Sequence, residues 1–315
     1  MKDIPSGWFS TYSIVARDAD TGRFGAAVQT HQMCVGAVVP WLDPLAGAVV
    51  TQAMTNVNFG PRGLELLRGG LAAGQVLDAL LATDDRKQSR QLAIVDSAGN
   101  VAAWTGDDCI REAGHSIGSG YSVQANMMTG DTVIEAMSEA FESQSGDLAE
   151  RMLSALQAAQ REGGDIRGMQ SAALKVVGVK DNKPAPFQTP RYDLRVDEHD
   201  DPVQELARLV RLRKAQLLDA RGHASLEKGD IERAREDWSS ARDTAPELEE
   251  IPFWQAIGVL EETGDIQWAA EIFHSALSSD DRHAEWINLI HRLEECGIIK
   301  KKGAAQDLVD AILMS

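Results

Sequence analysis

Up to Asp201-Pro202 the chain alternates between strand-like and helix-like text, and after that dipeptide no convincing strand appears. The change of period constrains the fold more than any other feature, because one layered core cannot be built from both halves. Period-two runs predict strands over 11–17, 24–30, 47–53, 92–96, 101–105, 121–127 and 171–179. Tight turns at 18–22 and 97–100 join neighbouring runs as hairpins, which implies antiparallel pairing. Apolar residues at helical spacing predict helices over 63–71, 75–81, 131–141 and 148–160. Hairpins interrupted by helix pairs argue for layered α+β structure and against a doubly wound parallel sheet. Residues 181–190 carry three prolines and read as a connector, followed by a polar edge strand or loop over 191–201.

From Val203 onward an internal repeat is visible. Gly229-Asp-Ile-Glu-Arg-Ala234 and Gly264-Asp-Ile-Gln-Trp-Ala269 lie 35 positions apart, and the same offset maps Trp238 onto Phe273 and Ala241 onto Ala276. Small residues at Ala234 and Ala269 let paired helices approach, and the aromatics fill the space between them. The pattern resembles tetratricopeptide repeats of about 34 residues. Either a partner lies in the groove of such a pair, or the pair is a packing appendage.

With 48 acidic and 31 basic side chains the net charge is -17, spread over both halves. Such a surface repels nucleic-acid phosphate and anionic lipid, so neither nucleic acid nor membrane is expected as a partner. Three widely separated cysteines without a CxxC pair fit reduced thiols. With no secretion-signal pattern and no long apolar run, the expected location is cytoplasmic.

Several residues could do chemistry. On strand 11–17 a period of two puts Thr11, Ser13, Val15 and Arg17 on one face. Strand 121–127 likewise groups Ser122, Gln124 and Asn126. Gln29, Thr30, Gln52, Asn56 and Asn58 add uncharged donors at or after strand ends. Gathered in one cleft, these groups suit a neutral amide or a tetrahedral oxyanion; solvated strand faces and satisfied turns explain each of them equally well. His31, Cys34, Cys109 and His115 lie at no established zinc spacing, so neither a metal nor a cofactor is expected.

Thr11-Tyr-Ser-Ile-Val-Ala-Arg-Asp18, Val35-Gly-Ala-Val-Val-Pro-Trp41, Thr51-Gln52 and Asn58-Phe-Gly-Pro-Arg-Gly63 stand in that order, followed by Gln124-Ala-Asn-Met127, Gly168-Met-Gln-Ser-Ala-Ala173 and Asp193-Leu-Arg-Val-Asp-Glu-His199. Over about residues 11–210 this series resembles the bacterial family called domain of unknown function 1028. The resemblance implies an N-terminal-nucleophile-hydrolase-like fold, a four-layer αββα sandwich of two antiparallel sheets between helix layers. The expected domains are an extension 1–10, the hydrolase-like domain 11–202 and an all-α helical-repeat domain 203–315.

Members of the family commonly begin Met-Thr at the first motif, so that methionine removal exposes the threonine matching Thr11. Here ten residues precede it, and an acylated nitrogen cannot act as a base. The expected activity is amide-bond hydrolysis of a small molecule or peptide once those residues are removed. Thr11 would be the nucleophile, its freed α-amine the base, and Asn126 with a backbone N–H the oxyanion holder. Arg17 and Gln29 would orient the nucleophile or bind a carboxylate, and Ser13, Gln52, Asn58 and Gln124 would bind substrate. The alternative is a non-catalytic scaffold that recruits a protein partner through its helical repeats. A homo-oligomer is expected in either case.

Overall fold

The computed structural model describes residues 8–178, 191–277 and 283–314. The proline-rich connector, the end of the strand expected over 171–179, most of the 1–10 extension and the side chain of Ala276 lie outside the described residues. Contacts divide the chain into two compact units, Met1–Val210 and Arg211–Ser315.

The first unit is mixed α+β with two antiparallel sheets. One sheet contains β1 (Trp8–Phe9), β4 (Pro40–Asp43), β5 (Gly47–Met54), β6 (Arg90–Asp96) and β7 (Val101–Thr105). One edge of β5 pairs with β6, and the other is shared by β4 and β1. The second sheet runs β11-β10-β3-β2-β9-β8, built from β2 (Thr11–Arg17), β3 (Phe24–Thr30), β8 (Gly114–Gly118), β9 (Tyr121–Asn126), β10 (Ser171–Val177) and β11 (Tyr192–Val196). β1 and β2 thus belong to different sheets, and Ser10 is the single residue between them.

Four of these strands were weak or silent in the sequence. β1 is two residues long, β4 opens on a proline tolerated at a sheet edge, β8 is glycine-bearing and half exposed, and β11 is a polar edge. β6 starts at Arg90 rather than at Leu92. That small extension brings Gln91 into the ladder opposite Gln52.

Facing residues of the two sheets share an apolar core. Val15, Ala26 and Val28 of the β2 sheet meet Ala48, Val50, Ala93 and Val95 of the β5 sheet. Alternate residues of the β5 sheet, Val49, Leu92 and Ile94, pack against Phe59, Leu64 and Leu67 of α1 (Phe59–Arg68) and Val76, Leu80 and Leu81 of α2 (Ala73–Ala82). α1 begins before the expected 63 because Pro61 lies in its first turn, where a missing N–H is harmless. On the β2 sheet lie α3 (Val133–Ser143) and α4 (Leu148–Arg161). α4 opens on a capping box: Asp147 Oδ1 accepts from the N–H groups of Ala149 and Glu150, and Glu150 Oε2 accepts from that of Asp147. Gly25 lets this helix approach, since a Cβ there would lie 2.5 Å from Met152 Cε.

The division between units falls inside α5 (Pro202–Leu226), whose first turns bury Val203, Leu206 and Val210 with the first unit. Beyond it the described residues form only helices: α6 (Ile231–Thr244), α7 (Glu250–Thr263), α8 (Ile266–Leu277), α9 (His283–Glu295) and α10 (Ala304–Met314). Ala234 and Ala269 are fully buried, and Trp238 and Phe273 belong to the same core cluster. Gly222 of α5 makes room for the Trp238 ring: a Cβ there would fall 2.4 Å from Trp238 Cδ1.

Candidate functional site

Between the two sheets of the first unit the packing changes character along the strands. At one end it is the valine and alanine core. At the other, the same inward positions carry Thr11, Ser13, Thr30, Gln52, Gln91, Gln124 and Asn126, all buried. The register assembles them. Thr11 is directly opposite Thr30 on β3 and Asn126 on β9, Ser13 opposite Gln124, and Gln52 opposite Gln91. Directly opposed residues share a face, so these side chains converge between the sheets.

The groups satisfy one another closely. The Ser13 hydroxyl donates to Gln52 Oε1 at 2.6 Å and accepts from Gln124 Nε2 at 2.6 Å, while Gln124 Oε1 accepts from Ser122 at 2.9 Å. Gln91 Oε1 accepts from Gln52 Nε2 at 2.7 Å and Asn126 Nδ2 at 3.0 Å. Gln91 Nε2 donates to Thr105 Oγ1 and to the carbonyls of Gly114 and Ala125 at 2.9–3.0 Å. The Thr11 carbonyl accepts from Gln52 Nε2 at 3.2 Å and from Asn126 Nδ2 at 3.4 Å. Asn126 therefore spends its amide on the Thr11 main chain and on Gln91.

Thr11 itself is fully buried. Its hydroxyl lies 3.4 Å from that of Thr30, and Thr30 Oγ1 donates to the carbonyl oxygen of Ser10. Arg167 Nη2 donates to the same carbonyl at 3.3 Å. The guanidinium is held by Asp165, whose side chain is wholly buried, through Nε at 3.2 Å and Nη2 at 3.0 Å. The peptide bond between Ser10 and Thr11 is thus gripped by a hydroxyl and a cation. Burial, with Asp165 and Asp201 adding, raises the Tyr12 phenol well above its ordinary pKa, so it stays protonated on the opposite face of β2.

Three expected members do not join. Arg17 is six residues along β2 from Thr11, about 20 Å at the rise of an extended strand, and sits opposite Phe24 at the other end of the hairpin. Gln29 is opposite Tyr12, not Thr11, and so lies on the other face of the β2 sheet; its buried amide has no hydrogen-bond partner among the described residues. Asn58 is exposed just before α1, with its N–H on Asn56 Oδ1. Thr30 takes the position expected for Gln29.

Backbone strain gathers at the polar end. Ala53, which follows Gln52, has φ 63°, and Met127, which follows Asn126, has φ 59°. Glu112, whose carbonyl accepts from the Met128 N–H, has φ 55°, and Cys34, just beyond β3, has φ 62°. A left-handed conformation costs a non-glycine residue about 1–2 kcal/mol. Such strain concentrates where a site must be held in one geometry.

Among the described residues no group of three or more His, Cys, Asp or Glu is placed to hold a metal. His31 Nδ1 lies 3.1 Å from the Met169 carbonyl, and His115 Nδ1 lies 2.9 Å from Thr105 Oγ1. Burial pushes the Cys109 thiol up to about 11. Among the described residues no helix is long and apolar enough to cross a membrane.

The family described as "Family of unknown function (DUF1028)" matches residues 11–206. A solved structure of this family, protein SPO2555 from Silicibacter pomeroyi, is 32% identical with a TM-score of 0.57, covering 64% of this chain and 88% of that one. Anbu (ancestral beta-subunit) from Yersinia bercovieri is 11% identical with a TM-score of 0.32, covering 62% of this chain and 91% of that one. No curated protein matches.

Proposed function

Since the chain belongs to DUF1028, a family of unknown function, we propose that its first unit is an amide-bond hydrolase with Thr11 as nucleophile. Its fold would be the αββα sandwich of the N-terminal-nucleophile kind. The observation that carries this reading is the convergence of Thr11, Thr30 and Asn126 in direct register at the polar end of the two sheets. Once residues 1–10 are removed, the Thr11 α-amine, with an ordinary pKa of about 7.7–8.0, takes the hydroxyl proton near neutral pH. Gln52 and Asn126 hold the Thr11 main chain in place, and Gln91 fixes both amides. Arg17 and Gln29 have no part in it. A small-molecule amide or a short peptide is the substrate class.

The burial of Thr11 beneath Ser10 favours a second reading, a non-catalytic protein whose tetratricopeptide-like C-terminal helices recruit a partner. The N-terminal residue separates the two. Protein carrying only a C-terminal tag should give an intact mass that begins at Thr11 in its active form. Full-length mass in a preparation that hydrolyses amides, or equal activity of Thr11→Ala and wild type, would reject the nucleophile.

A further inference from the structure

Ser10 is the acyl half of the bond it makes with Thr11, so its surroundings show what this chain accepts beside that hydroxyl. The residue is fully buried, and its carbonyl and its side chain are both held. The carbonyl oxygen accepts from Thr30 Oγ1 and Arg167 Nη2. Asp165 neutralises the guanidinium, so the position suits the oxygen of an uncharged carbonyl better than a free carboxylate. The Ser10 hydroxyl donates to the carbonyls of Asn126 and Met127, both at 3.1 Å.

That two successive carbonyls reach one hydroxyl is a product of local backbone geometry. Along an extended strand neighbouring carbonyls point to opposite sides. At Met127 φ is 59°, in the left-handed region, and both carbonyls turn toward Ser10. The segment is tied down: the Met127 N–H donates to the Ile110 carbonyl, and the Met127 carbonyl also accepts from the Ile166 N–H, both at 3.2 Å. Both acceptors are main-chain atoms of a tied segment, so they stay in place when Ser10 leaves. Removal of residues 1–10 then takes an acceptor from Thr30 and Arg167 and a donor from the Asn126 and Met127 carbonyls. Polar groups left unpaired in a buried place are costly. An acyl group with a hydroxyl on its β-carbon restores all four contacts at once.

We infer that the substrate is an amide of a short β-hydroxyacyl group of the seryl kind. Thr30 and Arg167 hold its carbonyl oxygen, and the main-chain carbonyls of Asn126 and Met127 hold its hydroxyl. The inference rests on Thr11 being the nucleophile and names what that site takes. The Thr11 Oγ–acyl bond forms as the acyl C–N bond breaks. The hydroxyl proton of Thr11 passes through the α-amine to the leaving amine, and water then releases the acyl group as a carboxylic acid.

The test uses the product of the full-length gene, with its N-terminal residue read first by intact mass. Its kcat/KM is then measured on the p-nitroanilides of N-acetyl-serine, N-acetyl-alanine and N-acetyl-O-methylserine. The seryl compound should be preferred over both others by about tenfold or more, because they leave the two carbonyls without a donor. Met127→Gly, which enters the left-handed region freely, should keep that preference. Met127→Val, whose branched side chain resists it, should lose the preference. A wild type that treats serine and alanine equally, or O-methylserine as well as serine, overturns the donor seat and leaves the nucleophile standing. Retention of the preference by both Met127 variants overturns the assignment to the Met127 carbonyl. A chain that begins at Thr11 and cleaves none of the three also overturns the inference. A chain that keeps residues 1–10, active or not, removes the nucleophile and this inference together.

Discussion

Thr30 and Thr11 stand opposite each other on adjacent strands with their hydroxyls 3.4 Å apart, and the Thr30 hydroxyl donates a hydrogen bond to the carbonyl that precedes Thr11. Thr30→Val keeps the shape and removes the donor. It should destabilise the chain by about 1–2 kcal/mol in urea titration, the scale of one lost buried hydrogen bond. Thr30→Ser should recover most of the loss. A neutral Thr30→Val would mean that Arg167 alone satisfies the Ser10 carbonyl.

At Thr11 the expected effect is on rate. Thr11→Ala should lower kcat on p-nitroanilides by at least about a thousandfold, and Thr11→Ser should keep measurable turnover because the hydroxyl remains. Release of p-nitroaniline over time reads both.

Gln91 sits at the centre of the buried amides, with acceptors on one side and donors on the other. Gln91→Leu leaves several of these groups without partners, each worth about 1–3 kcal/mol, so the total loss should reach roughly 3 kcal/mol or more. Equilibrium denaturation measures it, and a loss under 1 kcal/mol would show that water or a side-chain shift repairs the network.

Acid should act through Asp96. Burial alone would raise its pKa, but hydrogen bonds from Asn100 Nδ2 and from the N–H groups of Ala73, Asn100 and Ala98 outweigh it and hold the carboxyl below its ordinary value. The unfolded chain then takes up protons first. The stabilisation is complete above the unfolded pKa of about 3.9 and is lost as pH falls through the folded value. Asp96→Asn should therefore flatten the fall in melting temperature below about pH 4; an unchanged slope would exclude Asp96 as a source of acid lability.

In the second unit Trp238→Ala should cost about 3–5 kcal/mol, because Trp238 is among the largest fully buried side chains. Gly222→Ala should cost about 1–3 kcal/mol by overpacking the same ring. Hydrogen exchange should place both effects among residues 211–315, since the first unit has cores of its own.

Alternation along β2 made the Thr11 and Ser13 face legible from sequence, and the 35-residue offset made the burial of Trp238 and Phe273 legible. Other choices needed information that local text lacks. Gln29 and Thr30 are neighbours of opposite facing, and only the hairpin register decides which one shares a face with Thr11. Arg17 shares the facing parity of Thr11, yet parity is silent about distance along the strand. Gln91 was hidden because Arg90, before it, blurs the start of β6; extending the strand by two residues would have placed it with Ala93 and Val95. Arg167 comes from a loop far away in sequence and reaches Ser10 through tertiary packing alone.

Ser10 also has a mechanical meaning. The chain enters one sheet as Trp8–Phe9, paired to Met54 and Ala53, and leaves into the other as Thr11, paired to Thr30 and Asn126. It is a covalent stitch across the polar end of two shells whose other end is the valine and alanine core. Cutting it would remove one of the covalent links between the sheets, leaving the connections 31–39 and 106–113 and the amide hydrogen bonds at that end, and would free β1 to leave the stretch of β5 edge that it covers. The same scission that frees the Thr11 amine would therefore loosen the lips around it.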